Sequence, residues 1–351
     1  MFYIHDSAAI SPQHSFGEID LVTLHSYRGN KLQVIEPAYE GIPAGLIRRM
    51  GKAVKVGVGA SLALLKKNSP VSGIVLGTAN GGLEDCIKFL NQIVEYQEGM
   101  LAPGNFVQST ANAISSQIGL LTANKSYNIT HVHRGHAFEN ALLDAGMLIA
   151  ENPGQQFLVA GVDEISSYNF NIDRLSGWYK SEDITNVNLY DTQTPGSMAG
   201  EGAAAFIVND QLAGALARVE AVNFMHGEDP EEVRNWIKEL IQATGFGNNR
   251  GDLILSGENG DSRLIEYYRN AEGLLPDSTG IYRFKHLCGE YATATAYALW
   301  LACHILKGMD VPSHMVKRKD LEQPVRRIMI YNVFKKLQHS MILVAGADYL
   351  L

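Results

Sequence analysis

Apolar residues along this chain fall into two patterns that alternate from one end to the other. Short apolar runs bounded by glycine or polar residues predict buried strands. They lie at 72–82, 127–132, 156–166, 200–210, 251–261, 326–334 and 340–351. Segments whose apolar residues recur with helical spacing predict helices at 46–65, 84–97, 111–123, 137–151, 230–246 and 289–308. This alternation predicts an α/β protein with layered sheets.

The composition narrows the class of protein without identifying a function. The 351 residues carry a net charge of −8, so no overall basic field is present to attract nucleic acid. No apolar run approaches the roughly 18 residues that a membrane helix needs, and the first residues lack the pattern of a signal peptide. The three cysteines are widely spaced and odd in number, which favours a reducing cytoplasm over a disulfide framework.

Three histidines stand close together, His131, His133 and His136, in the spacing H-x-H-x-x-H. A zinc site needs ligands that converge on one point. Two of these residues share a face of the predicted strand, and the third lies past a glycine where a helix begins. No Cys, Asp or Glu at motif spacing completes a ligand set, so we expect packed or interface histidines and no metal.

Two other segments allow both a functional and an ordinary structural interpretation. The loop GENGD at 257–261 follows a strand and would suit a cation or phosphate, although most glycine turns after strands are only loops. A cluster of cations on a predicted helix consists of Arg48, Arg49, Lys52 and Lys55. Its usual explanation is a solvated helix face, and its functional one is a local patch for an acidic partner.

Several stretches, taken in order, resemble the bacterial β-ketoacyl synthases of the thiolase superfamily. MLAPGNFVQSTANAISSQIGLL resembles the segment that precedes the nucleophile in that family, and NITHVHRGHAFENALLDA lies where its nucleophile strand and helix stand. FLVAGVDEIS resembles the next strand, and AGEGAAAFIV resembles the G-E-G-A strand that opens the second half. ILSGENGD, FKHLCGEYATATAYALWLA and YNVF lie where the family has H-G-T-x-T, K-x-x-x-G-H and N-x-F-G-F-G-G-x-N. The pattern is most similar to ketosynthase-like and chain-length-factor proteins of aryl-polyene and flexirubin-type pathways.

The resemblance implies a five-layered α/β/α/β/α thiolase fold made of two similar halves, which we place at 1–175 and 176–351. It implies no cofactor and an acyl carrier protein as partner. Members of the family dimerise through the sheet edge before the nucleophile helix, which here contains YNITHV. We therefore expect a homodimer or a heterodimer with an active ketosynthase, with His131 and His133 at or near the interface. The resemblance also assigns carrier-protein docking to Arg48, Arg49 and Lys52.

A condensing ketosynthase needs a cysteine thiolate at a helix N-terminus, where the helix dipole lowers the thiol pKa. It also needs two histidines that stabilise the developing enolate. The family's nucleophile position falls here on Gly135, or on His136 if the following loop carries no insertion. Its first histidine falls on Ser256 and its second on Glu290. The resemblance therefore implies that the whole Cys–His–His set is replaced.

Two further residues belong to the expected pocket. Lys285 keeps the lysine of the family, whereas the closing loop VFKKLQ at 333–338 has none of the family's glycines. Cys288 would be a displaced nucleophile with His133 or His136 as its base, or else a small buried residue in a tight turn. The favoured hypothesis is a non-catalytic subunit of the chain-length-factor type. One alternative is an active acyltransferase of the 3-oxoacyl-carrier-protein synthase type that uses Cys288. The others are a zinc protein and a monomeric acyl- or carrier-binding module.

Overall fold

The structure is a computed structural model that describes residues 1–101, 103–249, 251–318 and 324–349. Its strands are β1 (Phe2–Ile10), β2 (Gly73–Gly77), β3 (Tyr127–His131), β4 (Phe157–Asp163), β5 (Gly202–Asn209), β6 (Ala217–His226), β7 (Asp252–Ser256), β8 (Gly280–Arg283), β9 (Val316–Arg318), β10 (Arg327–Phe334) and β11 (Gln338–Gly346). Its helices are α1 (Ala44–Ile47), α2 (Lys52–Asn68), α3 (Leu83–Glu95), α4 (Pro103–Gln108), α5 (Ala113–Leu121), α6 (Ala137–Glu151), α7 (Ser167–Leu175), α8 (Pro230–Thr244), α9 (Ile265–Gly273), α10 (Lys285–Cys288) and α11 (Ala294–Leu306). Short 3₁₀ turns lie at Arg134–His136, Asn186–Asn188 and Ser313–Met315.

The strands form one sheet in which the same topology occurs twice. Their order is β3-β2-β4-β5-β1-β6-β11-β10-β7-β8-β9. From the β1–β6 junction outward, each half has two antiparallel pairs followed by two parallel ones. In the second half, a further described strand, β9, pairs with the outermost parallel strand, β8. The predicted boundary at 175/176 stays a prediction, and this topology would move it to the chain between β5 and β6.

Helices lie between the two half-sheets and on both outer faces, which gives the predicted five-layered thiolase fold. The central layer is α6 and α11, whose buried side chains share one core with strands of both halves. Nearly every residue of α11 is buried, as expected for a helix that is apolar on all sides. Helices α2 and α5 cover the outer face of the first half, and α8 and α9 cover that of the second.

Two predicted helices differ in extent from the observed ones. The helix predicted over 46–65 is interrupted between α1 and α2, where Gly51 approaches Asp85 so closely that an added Cβ would lie 1.8 Å from its Oδ2 atom. The helix predicted from Gly289 begins only at Ala294. Gly289 has a left-handed backbone (φ 74°), and Glu290 instead exchanges backbone hydrogen bonds with the segment 198–200.

Asp163, the last residue of β4, joins the two halves of the fold beside the expected site. Its Oδ1 atom accepts hydrogen bonds from the backbone N–H groups of Ala79 (2.9 Å) and Asn80 (2.8 Å). Its Oδ2 atom accepts from the N–H (3.1 Å) and the hydroxyl (2.9 Å) of Thr293. A single carboxylate thus fixes the loop after β2 to the start of α11.

Candidate functional site

The chain turns from strand to helix where the resemblance places the nucleophile. Strand β3 ends at His131, and the 3₁₀ turn Arg134–His136 leads directly into α6. Gly135 is buried in that turn, and its N–H donates a hydrogen bond to the Gln338 Oε1 atom at 2.9 Å. The structure therefore forms the expected strand–turn–helix junction around a residue that has no side chain.

Phe334 occupies the space into which a side chain at Gly135 would point. A Cβ atom added to Gly135 would lie 2.5 Å from the Cβ and 2.7 Å from the Cγ of Phe334. Both distances are far below van der Waals contact, so a cysteine does not fit there unless the phenylalanine moves. Phe334 ends β10, and the next two residues, Lys335 (φ 51°) and Lys336 (φ 66°), turn the chain sharply back into β11.

His136, the alternative nucleophile position, is packed into the core. Its Nε2–H donates to the His339 carbonyl (3.2 Å), and its ring lies 4.7 Å from that of Phe224. The Gln338 amide donates to its Nδ1 atom at 3.4 Å. Burial lowers the pKa of His136 to about 4, which keeps the ring neutral near pH 7.

The other two histidines of the cluster have separate partners. His131 donates to Asp144 Oδ2 at 2.9 Å, and the Asn140 amide donates to the His133 Nδ1 atom at 3.0 Å. Among the residues that the structure describes, no group of three His, Cys, Asp or Glu side chains is placed to hold a metal ion.

Lys285 and Glu290 come together as a buried ion pair. The Lys285 ammonium lies 3.0 Å from Glu290 Oε1, and the Asn259 amide donates to Oε2 at 2.7 Å. Burial raises the pKa of Glu290, while the Lys285 charge and the amide hydrogen bond oppose that rise. At the position of the family's second histidine the chain therefore has a carboxylate held by its own lysine.

Ser256 ends β7 and is completely buried. Its hydroxyl oxygen accepts only a long hydrogen bond, 3.4 Å, from the N–H of Glu258. The loop that follows it is held by side chains of the protein itself, because Glu258 pairs with Lys317 and Asp261 pairs with Arg263. These contacts favour the structural interpretation of the GENGD loop.

Cys288 is a buried thiol in the turn before Glu290. Its Sγ atom lies 3.4 Å from the Gly289 carbonyl and belongs to the central core. Burial raises its pKa to about 12, and the Lys285 ammonium only partly opposes this effect. Since the thiolate is the nucleophilic form, these surroundings do not activate Cys288.

The cleft between Phe334 and Glu290 has little free space. Its lining includes Asn80, Glu164, Asn169, Asp173, Trp178, Tyr179, Asn259, Glu290, Tyr291, Phe334 and Lys335. Its volume is about 30 Å³, which is about the share of one water molecule in the liquid. The Lys335 ammonium lies 2.5 Å from Asp173 Oδ1, so an ion pair joins the β10–β11 turn to α7 across the cleft.

One acidic wall residue of this cleft is largely unpaired. The Ala53 N–H donates to Glu164 Oε2 at 3.0 Å, and Oε1 has no hydrogen-bond partner among the described residues. Burial raises the pKa of Glu164 to about 7. The group is therefore partly protonated near neutral pH.

The predicted docking residues divide into two kinds. Arg48 and Arg49 are exposed in the turn between α1 and α2, and neither forms an ion pair with a described residue. Lys52 instead lies 2.5 Å from the buried carboxylate of Glu201. The turn is held by Gln108, whose Oε1 atom accepts from the Gly51 N–H at 2.6 Å. Only the two arginines remain available to an external anion.

A pH effect is expected from Glu139, a fully buried residue in the first turn of α6. Neither of its carboxylate oxygens has a hydrogen-bond partner among the described residues. Burial raises its pKa from 4.5 to about 7, so folding favours the protonated form and its contribution to stability is lost as pH rises from about 4.5 to 7. Between pH 5 and pH 8 the parent protein should therefore lose about 2.5 kcal/mol of stability that Glu139→Gln retains. Urea unfolding at the two pH values measures this difference.

The matched control is Glu239→Gln, which removes an exposed carboxylate from α8. It should leave the pH dependence of unfolding unchanged. Equal pH dependence of Glu139→Gln and the parent protein would show that Glu139 is ionised in the folded state at pH 5.

Several residues of the site were not predicted from the sequence. Phe334, Gln338, Asn259 and Glu139 surround the expected positions but come from four different elements or loops. Two signals were present: the closing loop VFKKLQ, which lacks the family's glycines and contains the first two of these residues, and the GENGD loop, which contains Asn259.

Comparisons with known proteins agree with this geometry. Residues 26–173 match the family model for the N-terminal domain of β-ketoacyl synthases, and no curated protein sequence matches the chain. The ishigamide ketosynthase/chain length factor is similar at 15% identity, with a TM-score of 0.74 over 98% of this chain and 99% of the other. The ketosynthase ApeO in complex with its chain length factor ApeC, from Xenorhabdus doucetiae, is 13% identical, with a TM-score of 0.73 over 98% of both chains. AntDE:AntF, a type II acyl-carrier protein in complex with its ketosynthase, is 14% identical, with a TM-score of 0.74 over 98% of this chain and 99% of the other.

Residues 26–173 therefore resemble the N-terminal domain of β-ketoacyl synthases, and the whole chain has the fold of these ketosynthase-like structures. At these low identities the structural neighbours establish the fold over nearly the whole chain. None of the described helices combines the length and the apolar character needed to span a membrane.

Proposed function

We propose that this protein is a non-catalytic ketosynthase-like subunit of the chain-length-factor type. It would pair with an active ketosynthase during chain elongation on an acyl carrier protein, in the cytoplasm. The observation that carries the proposal is the contact of Phe334 with Gly135, which fills the place of the nucleophile with a side chain from the other half of the fold.

The remaining chemistry of the site supports the same conclusion. Glu290 stands in for a histidine and is neutralised by Lys285, so it offers no free positive charge to an enolate. The cleft admits about one water molecule. The rival proposal, an active acyltransferase that uses Cys288, requires a thiolate where burial raises the thiol pKa to about 12.

The surface around β3 supports a partner subunit. β3 is the last strand of the sheet order, and no described strand pairs with its outer side. An open edge without charged or proline residues is a ready site for pairing with another chain. Around it lie exposed apolar side chains, namely Leu120, Val132, Leu143 and Met147. The opposite end of the sheet is the three-residue strand β9.

The direct test of this pairing is co-expression with a ketosynthase from the same gene cluster that has an intact Cys–His–His set. We expect a one-to-one complex in size-exclusion chromatography with light scattering. A chain that remains a homodimer or a monomer beside every such ketosynthase would overturn the proposal.

Carrier-protein docking is assigned to Arg48 and Arg49, because both guanidinium groups are exposed and unpaired among the described residues. Arg48→Glu with Arg49→Glu should weaken binding of the carrier protein to the heterodimer at least tenfold in low salt, and less in high salt, because salt screens exposed charges. Titration calorimetry measures the affinity. Lys238→Glu on α8, an exposed lysine in the other half of the fold, is the control, and an unchanged affinity of the double arginine variant would refute the patch.

A further inference from the structure

Four groups, three in the second half and one in the N-terminal segment, form a continuous hydrogen-bonded chain away from the cleft. The Tyr190 hydroxyl lies 3.1 Å from His286 Nδ1, and His286 Nε2 lies 2.8 Å from His314 Nδ1. His314 Nε2 lies 2.9 Å from the carbonyl oxygen of Leu21. His286 is buried and His314 is half-buried, so the chain runs from the protein surface inward.

The direction of every hydrogen bond in the chain follows from the final acceptor, the carbonyl oxygen of Leu21. A carbonyl oxygen only accepts, so His314 carries its proton on Nε2 and its Nδ1 atom must accept. His286 therefore donates from Nε2, which leaves its Nδ1 atom to accept from the Tyr190 hydroxyl. The Tyr190 oxygen in turn accepts from the backbone N–H of His286 at 3.2 Å. Each member is satisfied only while both rings are neutral.

This relay connects three segments that lie far apart in the sequence. Leu21 belongs to the N-terminal segment after β1, His314 to a 3₁₀ turn and His286 to α10. The Asn186 amide adds a second tie, because it donates to the carbonyls of His286 (2.9 Å) and His25 (3.0 Å). The short helix α10 also carries Lys285, so the relay holds the base of the buried ion pair.

We propose that the Tyr190–His286–His314–Leu21 relay is an acid-sensitive clamp on α10. Uptake of one proton at His286 Nδ1 reverses the hydrogen bond to Tyr190, because Nδ1 then donates to the Tyr190 oxygen while Nε2 continues to donate to His314. The hydroxyl hydrogen of Tyr190 loses its acceptor, and a positive charge enters a buried site. Both consequences favour opening of α10 and of the N-terminal segment.

The charges around the relay oppose proton uptake in the closed state. The Arg283 guanidinium lies 3.7 Å from the centre of the Tyr190 ring and pairs with Glu258 at 3.5 Å. Other titratable groups on the elements packed here are Lys285, Cys288, Glu290, His25 and Lys317. Burial, then His314 and Arg283, hold the pKa of His286 well below its usual value. A depressed histidine pKa contributes stability that is present above about pH 6.5 and is lost as the pH falls.

Hydrogen exchange of the full chain, corrected for intrinsic rates, tests the clamp at pH 7.5 and 5.0. Exchange in segments 19–27 and 284–291 should be about thirtyfold faster at pH 5.0 than at pH 7.5. Opening takes up one proton, so the open population rises tenfold for each pH unit below about 6.5. His286→Gln should remove most of this response. Its side-chain amide can still donate to His314 Nδ1, but it binds no proton.

Three further results complete the test. His314→Ala should exchange fast at both pH values, and if it fails to fold, the comparison of His286→Gln with the parent protein decides. His5→Gln, which removes a histidine bonded to the Gln211 carbonyl, should keep the parent response. Acceleration of threefold or less in the parent protein, or an undiminished response in His286→Gln, would overturn the proposal.

Discussion

A cysteine introduced at position 135 is expected to leave the protein unacylated and to destabilise it by about 1–3 kcal/mol, the usual cost of overpacking a core. The reason is steric, because the new Cβ would lie 2.5 Å from the Cβ of Phe334. Phe334 or the turn that carries Arg134 must move to admit the side chain. Urea unfolding measures the loss of stability, and intact-mass analysis after incubation with acyl carrier protein measures acylation.

Two further variants isolate the contact. In Gly135→Cys with Phe334→Ala, the loss of stability should be at least about 1 kcal/mol smaller than the sum of the two single losses, since contacting residues couple. Gly146→Ala, in the same helix region, is the matched control because its Cβ would meet Phe2 at an ordinary 3.4 Å. A Gly135→Cys protein that is as stable as the parent and accepts an acyl group would contradict the account of the site.

Thr130→Pro is expected to weaken association with the partner subunit at least tenfold while the chain itself stays folded. The Thr78 N–H donates to the His131 carbonyl at 3.0 Å, so His131 directs its backbone groups toward β2. Successive residues of a strand point these groups to opposite sides, so Thr130 directs its N–H out of the sheet. Proline removes that donor without breaking a hydrogen bond of the sheet itself. Sedimentation with the partner ketosynthase measures the association.

Thr130→Val is the matched control. Both substitutions remove the hydrogen bond between the hydroxyls of Thr130 and Ser115 (2.9 Å), but valine keeps the backbone N–H. The valine variant should bind the partner as the parent does. An unchanged affinity of the proline variant would show that the partner does not pair with the β3 edge.

Most of the fold could be predicted from the sequence because its buried elements have continuous apolar patterns. Strand β4 is buried over its whole length, and α6 begins at its predicted residue, Ala137. Strands β1 and β6 were not predicted. Both contain a bulge or register shift, and several of their side chains are only partly buried, so polar residues interrupt the apolar pattern.

The candidate site could be predicted only in part from the sequence, for a different reason. The sequence places Gly135 at a strand–helix junction, and the resemblance identifies that junction as the nucleophile position. The side chains that fill the site come from the far end of the chain, with Gln338 203 residues from the glycine to which it is bonded. The missing glycines of the closing loop are visible in the sequence, but their consequence, a phenylalanine against Gly135, depends on tertiary packing.

The most direct test of the central claim is acylation of the co-expressed complex. The heterodimer is incubated with acyl-loaded carrier protein, and each subunit is weighed by intact-mass spectrometry. We predict one acyl adduct on the ketosynthase and none on this chain. An adduct on this chain that disappears in Cys288→Ser would contradict the account and identify an active acyltransferase.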